Sequence, residues 1–560
     1  MTTPVRRLAD AHLRALAPLD PEAAAALGHT DVNLIPDLSP EAFAERAALA
    51  RRTGRELPHT PADTPSDRAL AAALGERLDS ENALYEAGFT TTLLAPLATP
   101  VHQLRQVFDD LPSDPETITA HLRRVPEALS QYGRTLSSAQ RAGHRVSRRQ
   151  ALLLAEQCES WVDPHGTDSY RNLVRSAAAG RPVPTAASRA AEEASEAMSG
   201  FARFLRTGLP GATTATGAGA ALYAVTSSSF LGARTDPDEL YAYGWAELAR
   251  LGREAHDLAA DITGETTLGD ALDVLDRDPA RRIPAGEPLR DWLQTRLDAL
   301  TDALDGPHFD LPPSLRRAEA RLDSTGAGVM YYAPPDPASA RPGRVWWTTP
   351  PGERYVSTWR EVSTVHHEGL PGHHLQFAVT LGLKDLHPWQ RSLCQVHGYA
   401  EGWAHYAEQL SAELGLLDDP AERLGMIYAQ IWRAARIVID IGLHLDLPVP
   451  AGNGVVPAGR WTPKTAAGFL HTAAGVHPAT ASFEVDRYLG WPGQALAFKA
   501  GARLWQQIRA QAQQRLGPAF DLKAFHMTAL GLGPMGLDPL RRTLHDTFLT
   551  EARPPAPPGW

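Results

Sequence analysis

The chain has 560 residues, 43% of them hydrophobic, and a formal net charge of −11. That length can bury a large core, and the negative charge, spread along the chain without basic blocks, excludes nucleic acid as a main partner, since phosphate binding needs a basic face. There is no run of about 18 apolar residues to cross a membrane, and Cys158 and Cys394 are too few for a disulfide framework or a thiolate zinc site.

The opening stretch, MTTPVRRLADAHLRALAPLD, is amphipathic and no apolar segment follows it, so no secretory signal is expected. With the cysteine count this predicts a cytoplasmic setting. Ser39-Pro40-Glu41 marks a helix start. Ala-rich stretches at 69–85, 117–142, 146–160 and 186–206 carry helical periodicity, with Gly and Pro between them. GATTATGAGA (211–220) is Gly-rich but lacks the Lys-Ser/Thr of a phosphate loop. Asp236 then reads as an N-cap, Pro237 as the first helical residue and Glu239 as the closing member of a capping box, with helical spacing to about residue 260. Strand signal is confined to GVMYYAPP (328–335) and GRVWWTTP (343–350), a small sheet whose edge could align an extended peptide or serve only as a structural flap. Thr462-Pro463 starts a late helix after a Pro/Gly-rich loop at 447–463, and ARPPAPPGW (552–560) reads as a loose polyproline-like tail. The expected fold class is mainly α. A mainly helical region over 1–320 and a region over 321–560 that holds the His-rich run taken up next are expected to form one continuous unit.

HHEGLPGHH (366–374) places four histidines and a glutamate around a Pro-Gly pair. The short zinc motif HExxH puts two His on one helix face. Here His367 and His373 are six apart, about 600° of rotation in an unbroken helix, and His367 and His374 stand about 10 Å apart along the axis. Neither pair suits a regular helix. Pro371 removes an N–H and Gly372 accepts unusual dihedrals, so a bulge there would swing His373 back toward His367. His374 stays open as the alternative ligand. A hydrolytic zinc site needs a third protein ligand and an open position. In HGYAEGWAHYAEQLSAELG (397–415), Glu401, His405 and Glu408 share a helix face. Glu401 is the expected third ligand, and Glu408 is placed to accept the free N–H of a ligating His.

The runs HEGLPGHHLQ (367–376), EGWAHYAE (401–408), RAARIVIDIGLH (433–444) and EVDRYLGWPGQAL (484–496) resemble the bacterial family known as domain of unknown function 885. FDLKAFHMTALGLGPMGLDPL (520–540) is also typical of it. The resemblance covers most of the chain and is strongest from about residue 326. It implies a helical scaffold similar to gluzincin carboxypeptidases and oligopeptidases, with a deep cleft over the zinc. It implies metal ligation by His367, His373 and Glu401, and Glu368 as general base. His405 departs from the family's usually apolar residue and places an extra imidazole near the site, and the 447–460 loop is longer than usual.

The expected chemistry is zinc-dependent hydrolysis of a peptide or amide bond in a short peptide or peptide-like small molecule. Tyr488, then His444, are candidates to donate to the oxyanion. Arg436 and Arg487 are candidates to grip a substrate carboxylate, and Asp440 is placed to pair with Arg436 along the helix. Two other readings use the same residues: an amide hydrolase or transferase dedicated to one specialised metabolite, and a non-catalytic, zinc-stabilised binding scaffold. The intact Glu368 argues against the last, because a structural zinc site has no use for a base.

Overall fold

Helix starts in this protein follow one local rule. A Ser, Thr or Asp caps the helix and proline takes the first turn, where its missing N–H would have had no partner anyway. Thr3-Pro4, Asp20-Pro21, Ser39-Pro40, Thr64-Pro65, Asp236-Pro237, Asp419-Pro420 and Thr462-Pro463 all open helices this way, each cap side chain accepting a backbone N–H. The computed structural model describes residues 3–550 except 30–34, 112–113, 164–167, 265–267, 324–329, 337–339 and 350–351. The tail at 552–560 and the outer ends of both strand stretches (328–329 and 350) lie outside the described residues.

The protein is mainly α-helical with small sheets. Among the described residues no helix is long and apolar enough to cross a membrane. The Ala-rich stretches form Pro65–Glu86, Val125–Arg141, Arg148–Trp161 and Thr185–Thr207. The stretch at 117–142 is not one helix, because Pro115–Leu122 ends before Val125–Arg141 begins. Helix Pro237–Thr263 is capped by Asp236 as predicted, but Glu239 reaches out to Arg503 at 2.7 Å instead of closing a capping box.

Near the histidine cluster three strands form a sheet: β1 (Ala318–Asp323), β2 (Tyr331–Ala333) and β3 (Gly343–Thr348). β3 lies in the middle, parallel to β1 and antiparallel to β2, with Tyr332 opposite Val345. Six helices carry the site and its walls: α1 (Thr358–Glu368), α2 (His373–Gly382), α3 (His397–Glu413), α4 (Pro420–Leu445), α5 (Pro478–Gly490) and α6 (Ala497–Leu516).

Three buried apolar clusters hold these parts together. One joins Leu74, Leu289, Trp347, Trp403, Trp505 and Leu540, so it draws on both sides of residue 320. A second, with Leu104, Tyr132, Leu154 and Met198, lies within residues 35–209. The third includes Trp359, Ile427, Phe469 and Tyr488. Helix α1 sits at a seam, with Val365 in the first cluster and Trp359 and Val362 in the third. Close-packed material on both sides leaves that helix little freedom to move, which fixes whatever its C-terminal end presents.

Candidate metal centre

Helix α1 stops at Glu368 and α2 begins at His373, so the Pro-Gly pair separates two helices where the sequence suggested a bulge in one. The break is tight. A Cβ on Gly372 would stand 1.9 Å from the carbonyl oxygen of His367 and 2.5 Å from that of His366, so only glycine lets the chain turn so close to the end of α1. Trp403 holds the break from below, its Nε1–H donating to the Pro371 carbonyl at 2.9 Å. Beside it, Gly402 lets α3 press against α6, since a Cβ there would meet the Gly501 backbone at 2.7 Å. The Gly-Trp pair of EGWA thus sets both the helix crossing and the chain break, and Glu401 precedes it on the same helix.

These constraints bring His367, His373 and Glu401 together. One ligand atom from each lies within 4.8 Å of the others, and among the described residues no other trio of His, Cys, Asp or Glu does this. Glu401 Oε2 is 3.3 Å from His367 Nε2 and 3.5 Å from His373 Nε2, and the two imidazole rings stand at 89°. Both histidines are buried, while the Glu401 side chain keeps 23% of its exposure. His367 Nδ1–H donates to Glu408 Oε1 at 2.7 Å, which turns Nε2 toward Glu401. Ser363 Oγ–H donates to the other Glu408 oxygen at 3.0 Å. An imidazole oriented from behind by a carboxylate is the arrangement that raises ligand basicity in metal sites.

The electrostatics agree with a cation seat. Burial opposes charge on His367, but the Glu401 and Glu408 carboxylates outweigh it and raise its pKa to about 10. Both carboxylates are held well below their usual range, against the cost of burial, by the neighbouring imidazoles. Two nitrogens and one oxygen of this kind match the donor preference of zinc. Glu368, the last residue of α1, is 8% exposed, and its carboxylate makes no hydrogen bond to the described residues.

The other expected residues fare differently. His374 is not an alternative ligand: the Tyr332 hydroxyl donates to its Nδ1 at 2.7 Å and its Nε2–H donates to the Arg316 carbonyl at 3.2 Å. His405 lies behind Glu408, 3.2 Å from it, and burial lowers its pKa to about 4. Tyr488 is committed elsewhere, its hydroxyl donating to Glu484 at 2.7 Å and accepting from Arg436 Nε–H at 3.0 Å. His444 is also committed: its Nδ1 accepts from the Ala218 N–H at 3.1 Å and its Nε2–H donates to the Tyr488 carbonyl at 3.0 Å. The Gly-rich run at 211–220 is thus a brace for the end of α4. Arg436 and Arg487 do not make the expected paired clamp: both bind Glu484, and of the two only Arg436 keeps a buried donor, Nη1, without a partner. Asp440 does not pair with Arg436. Its Oδ2 accepts from the Tyr223 hydroxyl at 2.7 Å and the Gly493 N–H at 2.9 Å.

Four neighbours were not picked out from sequence. Tyr332 of β2 faces the His373 ring at 6.5 Å. Phe498 of α6 stacks on His367 at 6.1 Å. His397 stands one turn before Glu401, with Nδ1 accepting from Gln494 Nε2 at 3.3 Å. Burial lowers its pKa, opposed by Glu401, so its Nε2 carries the proton. Arg433 lies one turn before Arg436. A cavity of about 280 Å³ adjoins a different face of α1, lined by Arg296, Val362, Val365 and His366 among others, and takes in none of the three convergent side chains.

Comparison with known proteins adds the fold and the family. A family described as bacterial protein of unknown function (DUF885) matches residues 21–544. No curated protein gives a significant match. The crystal structure of a candidate lipoprotein from Colwellia psychrerythraea is similar with a TM-score of 0.83 at 20% identity, covering 98% of this chain and 100% of that one. A candidate lipoprotein of unknown function from Shewanella oneidensis is similar with a TM-score of 0.69 at 16% identity, covering 97% and 99%.

Proposed function

The chain belongs to the bacterial protein family of unknown function DUF885, and from the site it carries we propose that it is a zinc-dependent hydrolase of the gluzincin kind, cleaving a peptide or amide bond in short peptides or peptide-like metabolites. One observation carries the reading: His367, His373 and Glu401 converge within 4.8 Å, and the neighbouring Glu368 carboxylate makes no hydrogen bond to the described residues. A purely structural site would close its fourth position with a further protein ligand.

His367, His373 and Glu401 would hold the ion. When bound, zinc supplies Lewis acidity and brings the ionisation of water toward neutrality. Glu368 takes the proton from the attacking water and returns it to the leaving amine. His397 replaces Tyr488 and His444 as the donor to the oxyanion, because it lies on the Glu401 face of α3 and its Nε2–H makes no bond to the described residues. Edge strand β2, with Tyr332 beside His373, is positioned to align an extended substrate, and a cleft over the site is part of the same proposal.

Elemental analysis of the purified protein, paired with mass-spectrometric profiling of a mixed dipeptide and oligopeptide digest, tests this directly. The proposal requires one zinc per chain, cleavage by the native protein, and loss of at least about 100-fold in rate for Glu368→Gln with zinc retained. Unchanged turnover in that variant removes Glu368 as the base. Absence of a stoichiometric metal removes the whole reading. As to location, the free, buried Cys158 and Cys394 suit the cytoplasmic setting read from the sequence, whereas both solved neighbours are described as candidate lipoproteins. Cell fractionation decides between them, and the cytoplasmic reading fails if the protein is recovered with the envelope.

A further inference from the structure

Three arginines, Arg433, Arg436 and Arg487, stand near the proposed metal centre, and only the last two are paired with a carboxylate. Glu484 accepts from Arg436 Nη2 at 2.9 Å, and from Arg487 Nε at 3.0 Å and Nη2 at 2.9 Å. One carboxylate therefore serves two guanidinium groups, leaving one positive charge unbalanced there. Arg433, one turn earlier on α4, has no side-chain hydrogen bond or ion pair among the described residues, and its Nε is buried without a partner. Its guanidinium is half-buried, 5.3 Å from the Trp432 ring centre and 5.7 Å from that of Phe498. Arg436 retains a second unsatisfied group, since its Nη1 is buried and unpartnered. Both arginines approach the Phe498 ring, Arg436 at 4.5 Å, and the same ring stacks on His367. A cationic pair with open donors therefore adjoins a metal ligand through one shared aromatic.

Unpaired, partly desolvated guanidinium is costly unless something completes its hydrogen bonds. The carboxylates that bear on Arg433 from neighbouring elements, Glu408, Glu401 and Glu484, are already engaged by His367, His373, Arg436 and Arg487, and no acid among the described residues pairs with it. Planar, bidentate donors of this type match a carboxylate.

We propose that Arg433, assisted by Arg436 Nη1, binds a carboxylate of the substrate next to the bond to be cut. This rests on the hydrolase reading above and narrows its substrate class to peptides bearing a negative charge near the scissile bond. The carboxylate has two sources, a free C-terminus or an Asp or Glu side chain. The first makes the protein a carboxypeptidase and the second an acid-selective endopeptidase.

The experiment uses three tetrapeptide mixtures: free C-termini without Asp or Glu, the same mixture C-terminally amidated, and an amidated mixture containing Asp or Glu. Turnover is measured with the zinc-loaded native protein and with Arg433→Gln and Arg433→Lys. Binding is measured separately with zinc-loaded Glu368→Gln and with the double variant that adds Arg433→Gln. The native protein should prefer one charged mixture over the neutral amidated one by about 10- to 100-fold in kcat/KM, the scale of a charge-assisted bidentate contact. Arg433→Gln should abolish that preference, Arg433→Lys should keep part of it, and neither should change turnover of the neutral mixture more than about threefold. Preference for free C-termini identifies the first source, and preference for acidic side chains the second. Equal loss on charged and neutral mixtures, or no preference in the native protein, overturns the proposal. If no mixture is turned over, the hydrolase reading fails while charge-selective binding that disappears in the Arg433→Gln double variant still supports the carboxylate site. Binding blind to charge overturns it.

Discussion

Replacing Glu408 by Gln removes a charge while keeping the volume, and so isolates what that carboxylate does for His367. Its two oxygens face His367 Nδ1–H at 2.7 Å, Ser363 Oγ–H at 3.0 Å, His405 Nδ1 at 3.2 Å and Gln430 Nε2 at 3.4 Å. A glutamine offers those neighbours one carbonyl oxygen and turns an NH2 group toward other donors. A hydrogen bond to a charged group is worth about 1.5–3 kcal/mol, roughly a 10- to 100-fold change in an equilibrium constant. The same range is typical when the partner behind a ligating imidazole is lost. Zinc affinity, measured by competition with a chelating dye, is therefore expected to fall about 10- to 100-fold in Glu408→Gln, with the far-UV circular dichroism of a helical protein retained. Glu413→Gln, near the end of the same helix and paired with Arg509 on the surface, serves as the control and should leave zinc affinity unchanged. If Glu408→Gln folds and binds zinc as tightly as the native chain, His367 is not a ligand oriented by that carboxylate, and the metal centre as described is wrong.

Adjacent histidines should separate cleanly: His373→Gln loses stoichiometric zinc on elemental analysis, whereas His374→Gln keeps it, because both ring nitrogens of His374 are spent on Tyr332 and Arg316. Gly372→Ala forces a methyl group into two backbone carbonyls and should lower stability by more than about 2 kcal/mol in urea unfolding; a wild-type midpoint would mean the break between α1 and α2 relaxes freely. Removing zinc with a chelator should abolish turnover before it reduces helix content, as expected of a site laid on a folded scaffold; coincident loss of both would mark a structural metal. Glu361 is half-buried, with Trp347 Nε1–H at 2.8 Å the one side-chain donor to it among the described residues, and desolvation raises its pKa to about 7. An acid whose folded pKa is raised binds more protons folded than unfolded, so its contribution is intact below about pH 4.5 and lost as pH rises to about 7. Glu361→Gln keeps the acceptor and should flatten the stability profile across that window, with a slope change of at most about 1.4 kcal/mol per pH unit; an unchanged slope refutes the desolvated, protonated assignment.

What could be read from the sequence was what depends on near neighbours. The helix starts were legible because a capping side chain and a proline act within one turn. The convergence of His367, His373 and Glu401 was legible because few arrangements need two histidines around a chain breaker followed by a carboxylate on a helix. Strand β1 was not legible. AEARLD lacks an apolar run, and its partner β3 begins 20 residues beyond its end and runs parallel to it. The roles of Tyr488, His444 and Arg436 were hidden for a related reason. Apart from Glu484, four residues before Tyr488, their partners lie 44, 48, 52 or 226 residues away, and nothing local distinguishes a committed hydroxyl or ring nitrogen from a free one. The sharpest case is Arg433 against Arg436. They sit one turn apart on one helix, with the same chemistry and two shared aromatic neighbours, Trp432 and Phe498, and sequence favoured Arg436 as the substrate contact. Glu484 reverses that choice. By reaching Arg436 and not Arg433, it ties down Arg436 except for Nη1 and leaves Arg433 with no side-chain hydrogen bond among the described residues, next to the Phe498 ring that stacks on His367. A residue's capacity to bind substrate is thus set by which acids the fold withholds from it, a property that belongs to the packed molecule and not to any stretch of the chain.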